Sequence, residues 1–140
     1  MIIEHTITIN APIATVWALT TNVEAWPSIM PTVTSVELLE SAPVGLGSQA
    51  KIKQPGQRLA VWTVNAFREN REFAWSTKVL GTKMTGRHQL FEVPSGTQNT
   101  LTIELVGPLA NVLRALTGRA VQKAITTENE SFKRAAESSP

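Results

Sequence analysis

Residues 108–137 read as one amphipathic helical stretch at the end of a chain whose middle is written in period two. That change of period limits what the chain can become. At 1.5 Å per residue the stretch spans roughly 40 Å, enough to cross a domain of this size. With successive residues about 100° apart, Leu109, Val112, Leu113, Leu116 and Ala120 share one face. Val121, Ala124, Ile125, Phe132 and Ala135 gather on another, about a quarter turn away. The displacement falls at Thr117-Gly118, where glycine weakens a helix by about 1 kcal/mol against alanine. The expectation is a short helix, a bend at Gly118 and a longer amphipathic helix from Arg119. Glu128 interrupts the second apolar stripe, one turn after Ala124 and one before Phe132. It is either a rim residue reaching water or a carboxyl aimed into a cavity, where poor solvation would raise its pKa.

Upstream, Ile3, His5, Ile7 and Ile9 alternate with polar residues, a half-buried first strand with His5 at its apolar edge. Asn10-Ala11-Pro12 reads as an N-cap with proline in the first turn of a short helix over 13–19. A compact corner over 24–29 carries Trp26-Pro27, tolerable only near a helix start. Strands follow over 33–40, 48–54, 59–68, 72–79 and 84–93, and a last one is marked by Leu101, Ile103 and Leu105. The breakers between them include Ala42-Pro43-Val44-Gly45, Pro55-Gly56 and Gly81-Thr82. The order is β-α-α-β6-α: an α+β chain with a curved antiparallel sheet of about seven strands wrapped on its C-terminal helix. The room such curvature leaves is the expected binding site.

Composition removes several functions. At 140 residues the chain is expected to form a single domain. There is no cysteine and no aspartate, and only two histidines, so neither a disulfide framework nor a metal site is expected. No cofactor-binding glycine loop or nucleophile motif is present. The charge is only +2 and unclustered, against a nucleic-acid surface. No apolar run approaches the roughly 20 residues of a membrane span. The opening residues lack the pattern of a signal peptide, and a cytoplasmic protein, monomer or homodimer, is expected.

Ile9-Asn10-Ala11-Pro12 with Val16-Trp17, the Trp26-Pro27 corner, Gly86-Arg87-His88 leading to Pro94 and Gly96-Thr97, and Asn129 with Phe132-Lys133 resemble the START-like superfamily, also called SRPBCC. Within it, the chain resembles the polyketide cyclase/dehydrase and lipid-transport branch over essentially its whole length. The resemblance implies the helix-grip (Bet v 1-like) fold and a deep, mostly apolar cavity. This chain departs from it at Glu128, where relatives carry an apolar residue, often methionine.

The expected ligand contacts are Trp62, Phe73, Trp75, His88, Leu90, Leu113, Val121, Ala124, Ile125 and Glu128. Four tryptophans without a tyrosine suit flat apolar ligands, although such rings also fill core volume. Trp17 and Trp26 are read as fastening the short helices to the sheet. The run from His88 to Val93 leaves orientation open: His88 faces inward with Leu90, or Phe91 and Val93 do, or a bulge allows both. Three readings result. The protein binds or transports a small hydrophobic molecule of lipid, polyketide or aromatic type. Alternatively it is a cyclase or dehydratase with His88 and Glu128 as catalytic base and acid. The third reading is a protein-interaction module with a filled cavity.

Overall fold

The computed structural model describes residues 2–41 and 43–138. Strand β1 (Ile2–Ile9) leads into α1 (Ile13–Thr21), a 3-10 turn (Val23–Ala25) and α2 (Trp26–Ile29). Six strands follow: β2 (Ser35–Leu38), β3 (Gln49–Lys53), β4 (Ala60–Arg68), β5 (Glu72–Val79), β6 (Thr82–Val93) and β7 (Gly96–Val106). Helix α3 (Ala110–Glu137) closes the order. All seven strands form one curved antiparallel sheet, β1-β7-β6-β5-β4-β3-β2, gripping α3. Ala42, in the expected Ala42–Gly45 turn, lies outside the described residues.

The first strand pairs with the last because its alternation matches. Ile3, His5, Ile7 and Ile9 stand opposite Ile103, Leu101, Asn99 and Thr97, and this face turns toward α3. Gly96 makes the join tight: a Cβ there would lie 2.3 Å from the Ile9 carbonyl oxygen, at a φ of 146° that side chains avoid. The core beneath α3 holds Ile9, Val16, Phe73 and Phe132, all at full burial. Asn10 is not the cap of α1. Pro12 occupies that place with no side-chain cap, and the Asn10 N–H donates to Glu137 Oε2 at 2.8 Å, which satisfies it from α3.

α3 is one unbroken helix of 28 residues, without the two segments expected about Gly118. Arg114 Nη1 donates to the Ile2 carbonyl at 3.0 Å and Gln122 Nε2 to that of Glu4 at 3.3 Å. These bonds hold the helix to β1 on both sides of Gly118, and a single glycine's cost of about 1 kcal/mol does not break it. Further along, Lys133 Nζ donates to the Thr8 carbonyl at 2.9 Å. Long side chains of α3 thus take up carbonyls along β1, the first edge of the sheet. The earliest turns bury less than the expected stripe implies: Val112 is 51% and Leu116 78% exposed.

Period two fails once, in β4. Val64 pairs with Trp75 and Phe67 with Phe73, so β4 spends one residue more than β5 between the two pairs. Asn65 is the extra residue of this bulge, exposed and bonded through Nδ2 to Ser76 Oγ at 2.6 Å. The bulge turns both Val64 and Phe67 inward. Phe67 meets Trp17 of α1 edge-on at 5.3 Å.

Candidate functional site

Mid-strand tryptophans make one side of a cavity of about 100 Å³ between sheet and helix. Trp62 of β4 and Trp75 of β5 lie 6.1 Å apart between ring centroids. Trp75 is wedged edge-on against Trp26 at 5.3 Å and Phe73 at 5.0 Å, which fixes its ring. The other side is α3, where Val121, Ala124, Ile125 and Glu128 fall at i, i+3, i+4 and i+7, one helical face. Met84 and Gly86 of β6, with Leu101 and Ile103 of β7, complete the apolar lining between them.

His88 faces this space. The β6–β7 pairing runs unbroken from Lys83–Val106 to Val93–Gly96, so β6 has no bulge there. His88 and Leu90 turn inward while Phe91 stands 55% exposed on the other face. The imidazole is surrounded by Trp26, Phe73 and Phe132 at 5.5, 5.8 and 5.7 Å between centroids. Its Nδ1 is buried with no hydrogen-bond partner. Burial disfavours the imidazolium and pulls the pKa to about 4, so the ring is neutral at neutral pH. Arg87, next in sequence, alternates to the opposite face and pairs with Glu72 Oε2 at 2.6 Å.

Glu128 is half-buried and lines the same cavity. Among the described residues nothing hydrogen-bonds or ion-pairs with its carboxyl. Burial therefore acts unopposed and pushes its pKa up to about 7. Glu72 shows the contrast. Burial raises its pKa, but bonds from Arg87 and Arg68 outweigh that and hold it below the usual range. Among its polar lining the cavity thus offers two groups with shifted pKa values. One is a neutral imidazole and the other a carboxyl present in both protonation states near pH 7.

Seven of the residues expected at the site line the cavity: Trp62, Trp75, His88, Val121, Ala124, Ile125 and Glu128. Three do not. Phe73 lies fully buried against Trp75 and His88, and Leu90 sits in the core opposite Asn99. Leu113 is two turns before Val121, where the lining begins. Trp26 was expected only to fasten its helix. It does donate from Nε1 to the Leu19 carbonyl at 3.1 Å, but it also lines the cavity. The Gln54 and Gln57 side of the β3–β4 loop had no signal in the strand pattern and adds further lining. His5 lies apart, half-buried and engaged with Asn129. Among the described residues no group of three or more His, Cys, Asp or Glu could hold a metal ion, and no helix is long and apolar enough to cross a membrane.

The backbone is similar to those of several solved structures. The Zhui aromatase/cyclase from Streptomyces sp. R1128 superposes with a TM-score of 0.79 at 22% identity, covering 98% of this chain and 93% of that one. The di-domain aromatase/cyclase BexL of the BE-7585A biosynthetic pathway gives 0.74 at 22% identity, covering all (100%) of this chain and 51% of that one. Ara h 8.0201 gives 0.70 at 16% identity, with 99% of each chain covered. At these identities the likeness speaks for the fold alone. No curated protein matches the sequence. The model for polyketide cyclase / dehydrase and lipid transport matches residues 1–137. The chain belongs to that polyketide cyclase / dehydrase and lipid transport family.

Proposed function

We propose that the protein binds a small, flat, largely apolar molecule between its sheet and α3, with one polar group of the ligand against Glu128. The observation that carries this reading is the carboxyl of Glu128, without a partner among the described residues, in a cavity walled mostly by tryptophan and aliphatic side chains. A hydrogen bond to a charged group contributes roughly 1.5–3 kcal/mol, and a ligand hydroxyl or carbonyl would supply one to this carboxyl. The space of about 100 Å³ suits about one ring, with any second ring toward its open side, and not a long acyl chain. An engineered apolar cavity of about 150 Å³ takes up benzene. Calorimetric titration with phenol and 2-naphthol tests the reading, with saturable one-to-one heat as the supporting result. Absence of heat from both probes at millimolar concentration would remove it.

A second reading has its own support, the shifted pKa values of His88 and Glu128 beside one cavity. In a cyclase or dehydratase, Glu128 rather than His88 is the group poised to move a proton at neutral pH. As carboxylate it would take a proton from carbon next to a carbonyl. As acid it would return that proton to a departing hydroxyl, which leaves as water while the carbon–carbon double bond forms. Neutral His88 would hydrogen-bond the substrate oxygen. Loss of turnover in Glu128→Gln with probe binding retained supports this reading; full turnover in that variant excludes it.

A further inference from the structure

Met84, Gly86, His88 and Leu90 form the inward face of β6, and Gly86 alone among them carries no side chain. Nothing in the backbone asks for glycine. Its φ lies outside the left-handed region, and its pairings with Trp75 and Ile103 are regular on both sides. A glycine inside a strand forgoes side-chain packing and weakens it, and such a residue often marks a close approach by something else. A Cβ built there would meet Ile103 Cδ1 at 3.6 Å, Trp75 Cδ1 at 3.7 Å and Trp62 Cζ3 at 3.8 Å. These are ordinary van der Waals contacts, so the protein itself has room for a methyl group. What the methyl would occupy is the cavity, which Gly86 lines between both indoles.

We infer that Gly86 is the specificity-determining position of the cavity: its bare backbone is the floor on which a ligand ring rests between Trp62 and Trp75, and it sets the largest ring system admitted. The inference rests on the binding reading above. It makes the strand's packing deficit the space in which the ligand is recognised.

The test is calorimetric titration of phenol and 2-naphthol into the wild-type protein, Gly86→Ala and Gly86→Val, with thermal unfolding of each. Gly86→Ala is expected to unfold at the wild-type temperature or above. Its Kd for 2-naphthol should rise about tenfold or more, and that for phenol by less than about threefold. Gly86→Val should lose 2-naphthol altogether, and if it does not fold the alanine variant decides alone. Equal 2-naphthol affinity in wild type and Gly86→Ala overturns the role of Gly86 and leaves the binding reading standing. A marked loss of thermal stability in Gly86→Ala also overturns it, because the fold itself would then need the glycine. A wild-type protein that binds neither probe overturns both.

Discussion

Asn99 of β7 donates from Nδ2 to Oδ1 of Asn129 on α3 at 2.8 Å, with both residues at 0% exposure. Asn129 Nδ2 in turn reaches the carbonyls of His5 at 3.1 Å and Asn99 at 3.2 Å, and His5 Nδ1 at 2.9 Å. One amide thus ties the helix to both β1 and β7. Asn129→Ala leaves the Asn99 amide without that partner inside the core, and the expected loss is about 2–3 kcal/mol. Urea unfolding should show a lower midpoint at unchanged slope. A loss below about 0.5 kcal/mol would mean the network contributes little.

His88→Phe is expected to raise stability. Its three ring neighbours form an apolar surround, and Nδ1 is buried without a partner. Phenylalanine keeps the ring and removes that unpaired nitrogen, for a gain of about 1 kcal/mol. Chemical denaturation at pH 7 checks the sign. A drop of the same size would show that the imidazole is held by a bond worth keeping.

Glu128 and His88 should give opposing pH dependences of stability. Glu128 keeps its proton to about pH 7 when folded, against an ordinary value of 4.5. Between those limits the folded state binds more protons, and stability falls as pH rises. His88 protonates only near pH 4 when folded, against 6.5 ordinarily, so stability rises with pH over that window. Over the shared window from 4.5 to 6.5 the slopes offset each other. Glu128→Gln removes one of them. Its stability should climb by roughly 3 kcal/mol from pH 4 to pH 6.5 and then level. A variant as flat as wild type across that window would contradict the assignment.

Binding carries the same signature. A neutral ligand that accepts a hydrogen bond from the Glu128 acid should lose affinity as pH rises through about 7. In Glu128→Gln the affinity for 2-naphthol should be independent of pH from 6 to about 8, because the amide does not titrate. A sloping profile that survives the substitution would place the titrating group elsewhere.

The element order was legible because each strand run is bounded by turn residues and the terminal stripe has helical period. What escaped the pattern has physical causes. The bulge at Asn65 adds one residue with no local mark, so the inward turn of Phe67 could not be read from alternation. Gly118 weakens a helix in isolation, but Arg114 and Gln122 anchor α3 on either side of it. Glu128 stood out as a charge within an apolar stripe, and the cavity is what it faces. Trp26 was harder: a tryptophan that fastens a corner and one that lines a hollow look alike until the chain returns past it, and here it does both. Phe73, Leu90 and Leu113 share the apolar pattern of true lining residues; depth in the core separates the first two, and position along α3 the third.

The grip of α3 along β1 has a consequence for how the protein behaves in company. An open sheet can recruit a further strand at either border, the first step toward fibrils. Arg114, Gln122 and Lys133 occupy backbone acceptors on one border. The other border, β2, is only four residues long. Replacing all three side chains by alanine should therefore convert a protein that stays dispersed on prolonged incubation into one that scatters light and binds thioflavin T.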